Sequence, residues 1–258
     1  MTKAGIIDTH AHLDDNKFRK DLQAVRARAL EAGVTRIISV GSDFTSSRHA
    51  CALADEHAEI YAAVGVHPHD AVTVVPRTLE GLRLLASNSR VVAWGEIGLD
   101  YHYNFSPRDS QLDVFRKQLE IAGELNLPVI IHDREAHREV LSVLKDFLGL
   151  TGVVIHCFSG DLRIAEECVN RGYYLGIGGT LTFPKNKDLK SVVQRVPLEH
   201  IVLETDCPYL APQPWRGKRN EPAFLTAVLE EIAHLKGLSQ DKVAQATTAN
   251  AEKLFHLQ

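Results

Sequence analysis

The chain has 258 residues, of which 45% are hydrophobic and 24% are charged, and this composition is typical of a globular protein. Its formal net charge of -4 excludes the strongly basic balance of a dedicated nucleic-acid-binding domain, so any such contact must be local. No segment has the roughly 20 consecutive apolar residues of a membrane span, and the first residues show no signal-peptide pattern.

The four cysteines show neither CxxC pairing nor the density of a disulfide scaffold, which is typical of a reducing compartment. We therefore predict a cytoplasmic protein that is not bound to a membrane, and we infer no obligate protein partner. A length near 250 residues is common for one β/α barrel, so residues 1–258 are predicted to form a single domain.

Short β-rich runs alternate with longer segments of helical period along the chain. In chain order, the predicted strands are 5–8, 36–40, 61–65, 91–95, 129–132, 153–156, 173–176 and 201–204. Most are continuous apolar runs, as expected for parallel strands covered by helices. Eight of them predict an α/β fold of the (β/α)8 TIM barrel class, with an open doubly wound sheet as the alternative.

Amphipathic segments between and after these strands predict helices, several of which end at a glycine. They include 20–32, 111–125, 164–171, 223–236 and 239–254. The polar, proline-rich segment 208–222 follows the last strand and predicts a long loop of the kind that borders active sites.

Ionisable residues stand where the predicted strands end, and the active site of a β/α barrel lies at those ends. They are His10, His12, His67, His69, Glu96, His132, His156, Glu204 and Asp206. His10 and His12 share one strand face and can chelate one ion. Four histidines with two carboxylates exceed a single tetrahedral site, so we predict two divalent ions (Mg, Zn or Mn) bridged by Glu96.

The alternative is that these histidines are structural. A lone buried histidine is usually satisfied by a backbone carbonyl, which is our interpretation of His49, His57, His200, His234 and His256. If all the residues at the strand ends were structural, several charged side chains would be buried without partners, and each would cost several kcal/mol of stability. We therefore favour the metal site.

The same strand ends carry longer motifs. They are DTHAHLD at 8–14, GVHP at 65–68, GEIGLDY at 95–101, PVIIH at 128–132, HCFSG at 156–160, ETDCPYL at 204–210 and RGK at 216–218. Together they resemble the TatD-type metal-dependent deoxyribonucleases, relatives of the amidohydrolase barrels, over essentially the whole chain.

The resemblance implies a first ion on His10, His12, Glu96 and Asp206, and a second ion on Glu96, His132 and His156. It also implies removal of nucleotides from DNA 3′ ends, and deacylation of D-aminoacyl-tRNA is a further activity of the family. Related phosphotriesterase and dihydroorotase barrels have a carbamylated lysine at the bridging position, so Glu96 favours the nuclease branch.

Our hypothesis for catalysis assigns roles to Glu96 and Asp206: the cations activate a water, which Asp206 deprotonates for attack on a phosphodiester. Further residues are predicted to contact the DNA substrate or to support the site. They are His67, Arg134, Glu204, Arg216 and Lys218, with Arg219 beside them. His67 is expected to donate to phosphate without ligating metal, and Glu204 to orient a ligand or water. The basic residues form a phosphate-binding patch or are solvated surface charge.

Two other functions stay open at this stage. One is hydrolysis of a small lactone, amide or ester at the same two-metal mouth, because a shared fold does not determine a substrate. The other is a barrel that binds metal without catalysis. Separately, Tyr101, Tyr103 and Phe105 follow strand four, where they either stack on a base or simply pack.

Overall fold

The structure is a computed structural model that describes residues 5–257. Its sheet contains eight parallel strands, each paired with its neighbour in sequence. They are β1 (Ile6–Ala11), β2 (Val34–Val40), β3 (Ile60–Val64), β4 (Val91–Asp100), β5 (Val129–Arg134), β6 (Val153–Ile155), β7 (Tyr174–Ile177) and β8 (Ile201–Leu203). Every predicted strand overlaps an observed one, and the predicted TIM barrel class is confirmed.

Helices alternate with the strands in the described residues. They are α1 (Leu22–Glu31), α2 (Phe44–Glu56), α3 (Pro76–Leu85), α4 (Arg108–Leu125), α5 (His137–Leu144), α6 (Leu162–Asn170), α7 (Lys187–Arg195), α8 (Leu225–Lys236) and α9 (Gln240–Phe255). The side chains of Asp43, Asp161 and Ser239 accept the first free amides of α2, α6 and α9. None of these helices is long and apolar enough to cross a membrane.

The core has two layers because strand side chains alternate between the two faces of the sheet. Ile37 packs in the layer between the strands and the helices, whereas Ile38 and Val40 pack inside the barrel. Leu254 and Phe255, in the last turn of α9, join the inner layer. Side chains therefore fill the interior, and the active site of such a barrel lies at the C-terminal ends of its strands.

The barrel closes between β1 and the segment that follows β8. The amide of Asp206 donates to the carbonyl of His10 at 2.9 Å. The amide and the hydroxyl of Thr205 donate to the buried carboxylate of Asp8 at 2.9 and 2.6 Å. Because of this closure, Asp206 lies beside His10 although 195 positions separate them in sequence.

Register shifts interrupt two strands near the predicted site. The pairing of β1 with β2 shifts between Asp8 and Ala11, and the pairing of β4 with β5 shifts between Trp94 and Ile97. Ile7 packs inside the barrel, so unbroken alternation would also place Ala11 there, yet Ala11 packs in the outer layer. Such irregularities redirect side chains, and the two intervals here contain His10 and Glu96.

The long loop predicted at 208–222 contains no α-helix or strand in the structure. It is anchored by Arg219, which donates to both carboxylate oxygens of Asp21 and to Glu221 at 2.7 to 2.8 Å. Arg28 makes a two-bond contact with the same Glu221 at 2.7 and 2.9 Å. Arg219 is therefore engaged in holding the loop and is not a free phosphate-binding cation.

Replacing Glu221 by glutamine is expected to lower the free energy of unfolding by about 1 to 2 kcal/mol at pH 7, because both guanidinium groups lose a charged partner. Burial alone raises the pKa of Glu221, but bonds from Arg28 and Arg219 lower it below its ordinary value. Because the pKa of Glu221 is lower in the folded than in the unfolded protein, its ionised carboxylate stabilises the fold at any pH above the unfolded pKa. This stabilisation is lost as the pH falls through the folded pKa. Urea unfolding with EDTA at pH 7 and in acid measures both effects.

The matched control is Glu230→Gln, since Glu230 is exposed on α8. It should unfold like the unmodified protein at both pH values. A difference between Glu221→Gln and the unmodified protein that does not shrink in acid would contradict this account.

Candidate metal centre

Four side chains from β1 and the residue that follows it, from β4 and from the segment after β8 meet at the mouth. The Nε2 atoms of His10 and His12 are 3.3 Å apart. Oε2 of Glu96 lies 3.4 Å from His10 Nε2, and Oδ1 of Asp206 lies 3.4 Å from His12 Nε2. Donor atoms about 2.1 Å from one tetrahedral ion stand about 3.4 Å apart, and these three distances match that spacing. Two other distances in the set are longer: 4.0 Å from His10 Nε2 to Asp206 Oδ1 and 3.8 Å from His12 Nε2 to Glu96 Oε2.

Glu96 also faces a second set of imidazoles with its other oxygen. Its Oε1 lies 2.7 Å from Nδ1 of His132, 3.6 Å from Nε2 of His67 and 3.8 Å from Nε2 of His156. The two carboxylate oxygens therefore serve two different groups of nitrogens, which is the arrangement a bridging ligand needs.

The second ligand set differs from the expected one. The structure groups the donor atoms of His132 with those of Glu96 and His67, and the donor atoms of His156 with those of Glu96 and His10. It does not bring Glu96, His132 and His156 around one point. The composition of a second site on those three residues stays a prediction.

Hydrogen-bond partners determine which ring nitrogen is free to ligate. Nδ1 of His12 lies 2.9 Å from the carbonyl of Val40, which can only accept, so Nε2 carries the lone pair toward the cluster. Nε2 of His132 lies 3.0 Å from Oδ2 of Asp100, so its Nδ1 faces Glu96. Both rings present an unprotonated nitrogen to the centre when they are neutral.

In His67, unlike in His12 and His132, the ring nitrogen that faces the mouth is the protonated one. The amide of His69 donates to Nδ1 of His67 at 3.2 Å, so in the neutral ring the proton is on Nε2. Burial lowers the pKa of His67 well below its usual value, which keeps the ring neutral. His67 therefore presents a proton to the mouth, as expected for a hydrogen-bond donor to substrate and not for a metal ligand.

The carboxylates of the cluster are ionised. Burial raises the pKa of Glu96, but the surrounding histidines outweigh it and hold that pKa well below its usual range. The pKa of Asp206 is lowered against burial in the same way, chiefly by His12 and His156. Despite burial, these carboxylates raise the pKa of His12 to about 9. The centre thus has a negative potential that protons or a cation must neutralise.

Asp100 is a site residue that the sequence analysis did not single out. It is fully buried, and its Oδ2 lies 3.0 Å from Nε2 of His132 and 2.9 Å from Nε2 of His69. The sequence contained a sign of this role: residues i and i+4 of a strand share a face, and Asp100 is four positions after Glu96. The predicted end of β4 at residue 95 concealed it.

Glu204, predicted among the substrate-binding residues, does not lie on the pocket wall. It is 1% exposed, and its Oε1 lies 3.0 Å from Nδ1 of His156 and accepts from the amide of Cys157 at 2.6 Å. A side chain so placed orients His156 and has no access to substrate. This position corresponds to the orienting role that was also expected for it.

The predicted basic residues separate into two groups. Arg134 lines the pocket of about 510 Å³ above the cluster, together with His67, Tyr103 and Tyr209. Among residues 5–257, the lining of that pocket does not include Arg216 or Lys218. The guanidinium of Arg216 instead lies 4.4 Å from the ring centre of Phe183. The side chains of Arg216 and Lys218 are therefore not part of the pocket wall, and Arg216 packs on a residue of the segment after β7.

A parallel β/α barrel with clustered histidines and ionised carboxylates at the C-terminal ends of its strands is the architecture of a metal-dependent hydrolase. The chain matches the family model described as "TatD related DNase" over residues 7–256, and it belongs to that family. It is therefore a TatD-type, divalent-metal-dependent hydrolase.

Similar proteins cover nearly the whole chain. An uncharacterized metal-dependent hydrolase, YabD of Bacillus subtilis, is 43% identical over 98% of this chain and 99% of its own length. A protein of Citrobacter rodentium named 3'-5' ssDNA/RNA exonuclease TatD is 40% identical over 97% of each chain. The crystal structure of YJJV, a TatD homolog from Escherichia coli, superposes with a TM-score of 0.95 at 34% identity and covers 100% of both chains.

Proposed function

We propose that this protein is a two-metal exonuclease that removes nucleotides from the 3′ ends of single-stranded DNA. The observation that carries the proposal is the position of Glu96, whose two oxygens face two separate groups of imidazole nitrogens. The similarity to a relative named for 3'-5' exonuclease activity on single strands supports the substrate and the polarity. We further propose that residues 1–258 act as one domain in the cytoplasm.

The donor types at the mouth, imidazole nitrogens and carboxylate oxygens, suit two divalent cations, although the donor atoms of Glu96, His132 and His156 are not grouped around one point. His10, His12, Glu96 and Asp206 would hold the first, and Glu96, His132 and His156 would hold the second. Bound cations supply positive charge that activates water and stabilises the negative oxygens of a phosphodiester under attack.

The protein supplies the proton transfers and the positioning. Asp206 is ionised, so its carboxylate can accept the proton of the attacking water. Nε2–H of His67 donates to a phosphate oxygen, since its other nitrogen is already occupied by a backbone amide. Arg134 adds a cation on the pocket wall, which provides the local attraction that a net charge of -4 does not.

Incubation of the purified protein with 5′-labelled single-stranded DNA and Mg²⁺, Mn²⁺ or Zn²⁺ tests the proposal. Progressive shortening from the 3′ end is expected, and Asp206→Asn should be inactive under the same conditions. Internal cleavage would contradict the exonuclease activity, and immediate release of the labelled 5′ nucleotide would contradict the polarity. No shortening with any of the three cations would contradict the nuclease function.

Salt dependence separates this function from hydrolysis of a small neutral substrate. Contacts to phosphates release counterions, so the affinity for DNA should fall steeply as salt rises. The KM of a neutral lactone or ester should change little. An affinity for DNA that does not respond to salt would favour the small-substrate function.

A further inference from the structure

Two aromatic side chains stand exposed at the edge of the metal pocket. Tyr103 is 50% exposed and Phe105 is 67% exposed, and their rings stack with centroids 5.4 Å apart. We call this pair the aromatic edge. The guanidinium of Arg134 lies 5.1 Å from the ring centre of Tyr103, and both residues line the pocket above the cluster. By contrast, Tyr101 packs against the protein, with its hydroxyl donating to Glu139.

The backbone beneath the aromatic edge is held by buried polar groups. Gln111, on α4, donates to the carbonyls of Asp100 and Ser106 at 3.1 and 2.8 Å and accepts from the amide of Asp100 at 2.8 Å. The amide of Tyr103 donates to Oδ1 of Asp100, and the hydroxyl of Ser106 donates to the carbonyl of His69. The rings are thus presented to solvent by a segment that hydrogen bonds hold at Asp100, Tyr103 and Ser106, and this anchoring preorganises them for a ligand.

The aromatic edge is continuous with the metal centre. The ring of His69 lies 5.6 Å from that of Tyr103 and 4.7 Å from that of Phe105. Asp100 binds His69 and His132 through the same oxygen. A group stacked on the aromatic edge therefore lies next to the ligands of the cations.

We propose that Tyr103 and Phe105 form a stacking surface for a base adjoining the scissile phosphodiester, with Arg134 facing the neighbouring phosphate. This inference rests on the proposed nuclease function and deepens it. Every base has a π-face, so such a surface is tolerant of sequence. A base within a duplex is already stacked and paired, so the surface selects unpaired strands.

The test compares Tyr103→Ala/Phe105→Ala with the unmodified protein in binding a short single strand whose terminal linkages are phosphorothioates. A second strand carries abasic residues at its last two positions. Alanine substitution is expected to weaken binding of the ordinary strand about tenfold, within the range for lost base stacking. On the abasic strand the two proteins should bind alike. The preference for a single strand over a blunt duplex should shrink in the variant.

Two controls accompany the variant. Leu148→Ala removes an apolar side chain that is 91% exposed after α5, and it should bind like the unmodified protein. Tyr103→Phe/Phe105→Tyr keeps both rings and should retain the affinity. Circular dichroism and metal content monitor the fold.

The outcomes separate the two proposals. If the unmodified protein shortens DNA and the alanine variant binds the ordinary strand as tightly as the unmodified protein does, the proposal of a stacking surface is wrong. An equal loss on the ordinary and abasic strands would also overturn it, since the residues would then only support the pocket. If the unmodified protein neither binds nor shortens DNA, the nuclease function itself fails.

Discussion

Replacing Glu96 by glutamine is expected to reduce turnover of a single-stranded oligonucleotide by about 1,000-fold or more. One oxygen of the Glu96 carboxylate faces His10, and the other faces His132, so this side chain contacts both groups of nitrogens. An amide keeps the shape but loses the charge and one acceptor. Turnover, together with metal content after dialysis, measures the effect, and the variant should retain less bound metal than the unmodified protein.

Glu124→Gln is the matched control, since Glu124 is exposed on α4 and pairs with Arg83. It should leave turnover and metal content unchanged. Near-normal turnover of Glu96→Gln with a native circular dichroism spectrum would remove Glu96 from the chemistry and with it the bridging role.

Asp100→Asn is expected to weaken metal binding at His132 by about 10- to 100-fold, the usual effect of losing a group that orients a ligand. Asparagine still accepts the amide of Tyr103, but its NH₂ group cannot accept from the rings of His132 and His69. Calorimetric titration with Zn²⁺ or Mn²⁺ measures the loss of affinity. Because position and not chemistry is affected, turnover should recover at high metal concentration.

Asp113→Asn serves as the control, because Asp113 is exposed and pairs only with Lys117 in the described structure. If Asp100→Asn binds metal as tightly as the unmodified protein, His132 is oriented without Asp100. A loss of turnover that high metal concentration does not reverse would contradict a positioning role.

Much of the fold was predictable because its signals are local. Short β-rich runs, most of them continuous and apolar, predicted all eight strands, and the five named helices were located within three residues at each end. The bounds of β4 were wrong at one end. The strand continues to Asp100 because Ile97 to Asp100 pair with β5, and no apolar pattern continues through Gly98 and Asp100.

The site was predictable in its residue types more than in its contacts. His10 lies with His12 and Asp206 in one group of donor atoms and with Glu96 and His156 in another, since parallel strands bring their C-terminal ends to one rim. That His10, His12, Glu96 and Asp206 hold one ion stays a prediction. The patch expected from Arg216, Lys218 and Arg219 does not lie at the pocket. A basic run in a sequence does not show whether its charges face substrate or acidic partners such as Asp21 and Glu221.

The sequence by itself determined the barrel and the set of ionisable groups at its mouth, because apolar periodicity and residue type are local properties. Only the tertiary structure decided how those groups act. The register shifts at His10 and Glu96, the tautomers of His12 and His132, and the position of Glu204 behind His156 depend on hydrogen bonds and contacts between different strands. Such bonds exist only once the barrel has closed, and no local pattern records them.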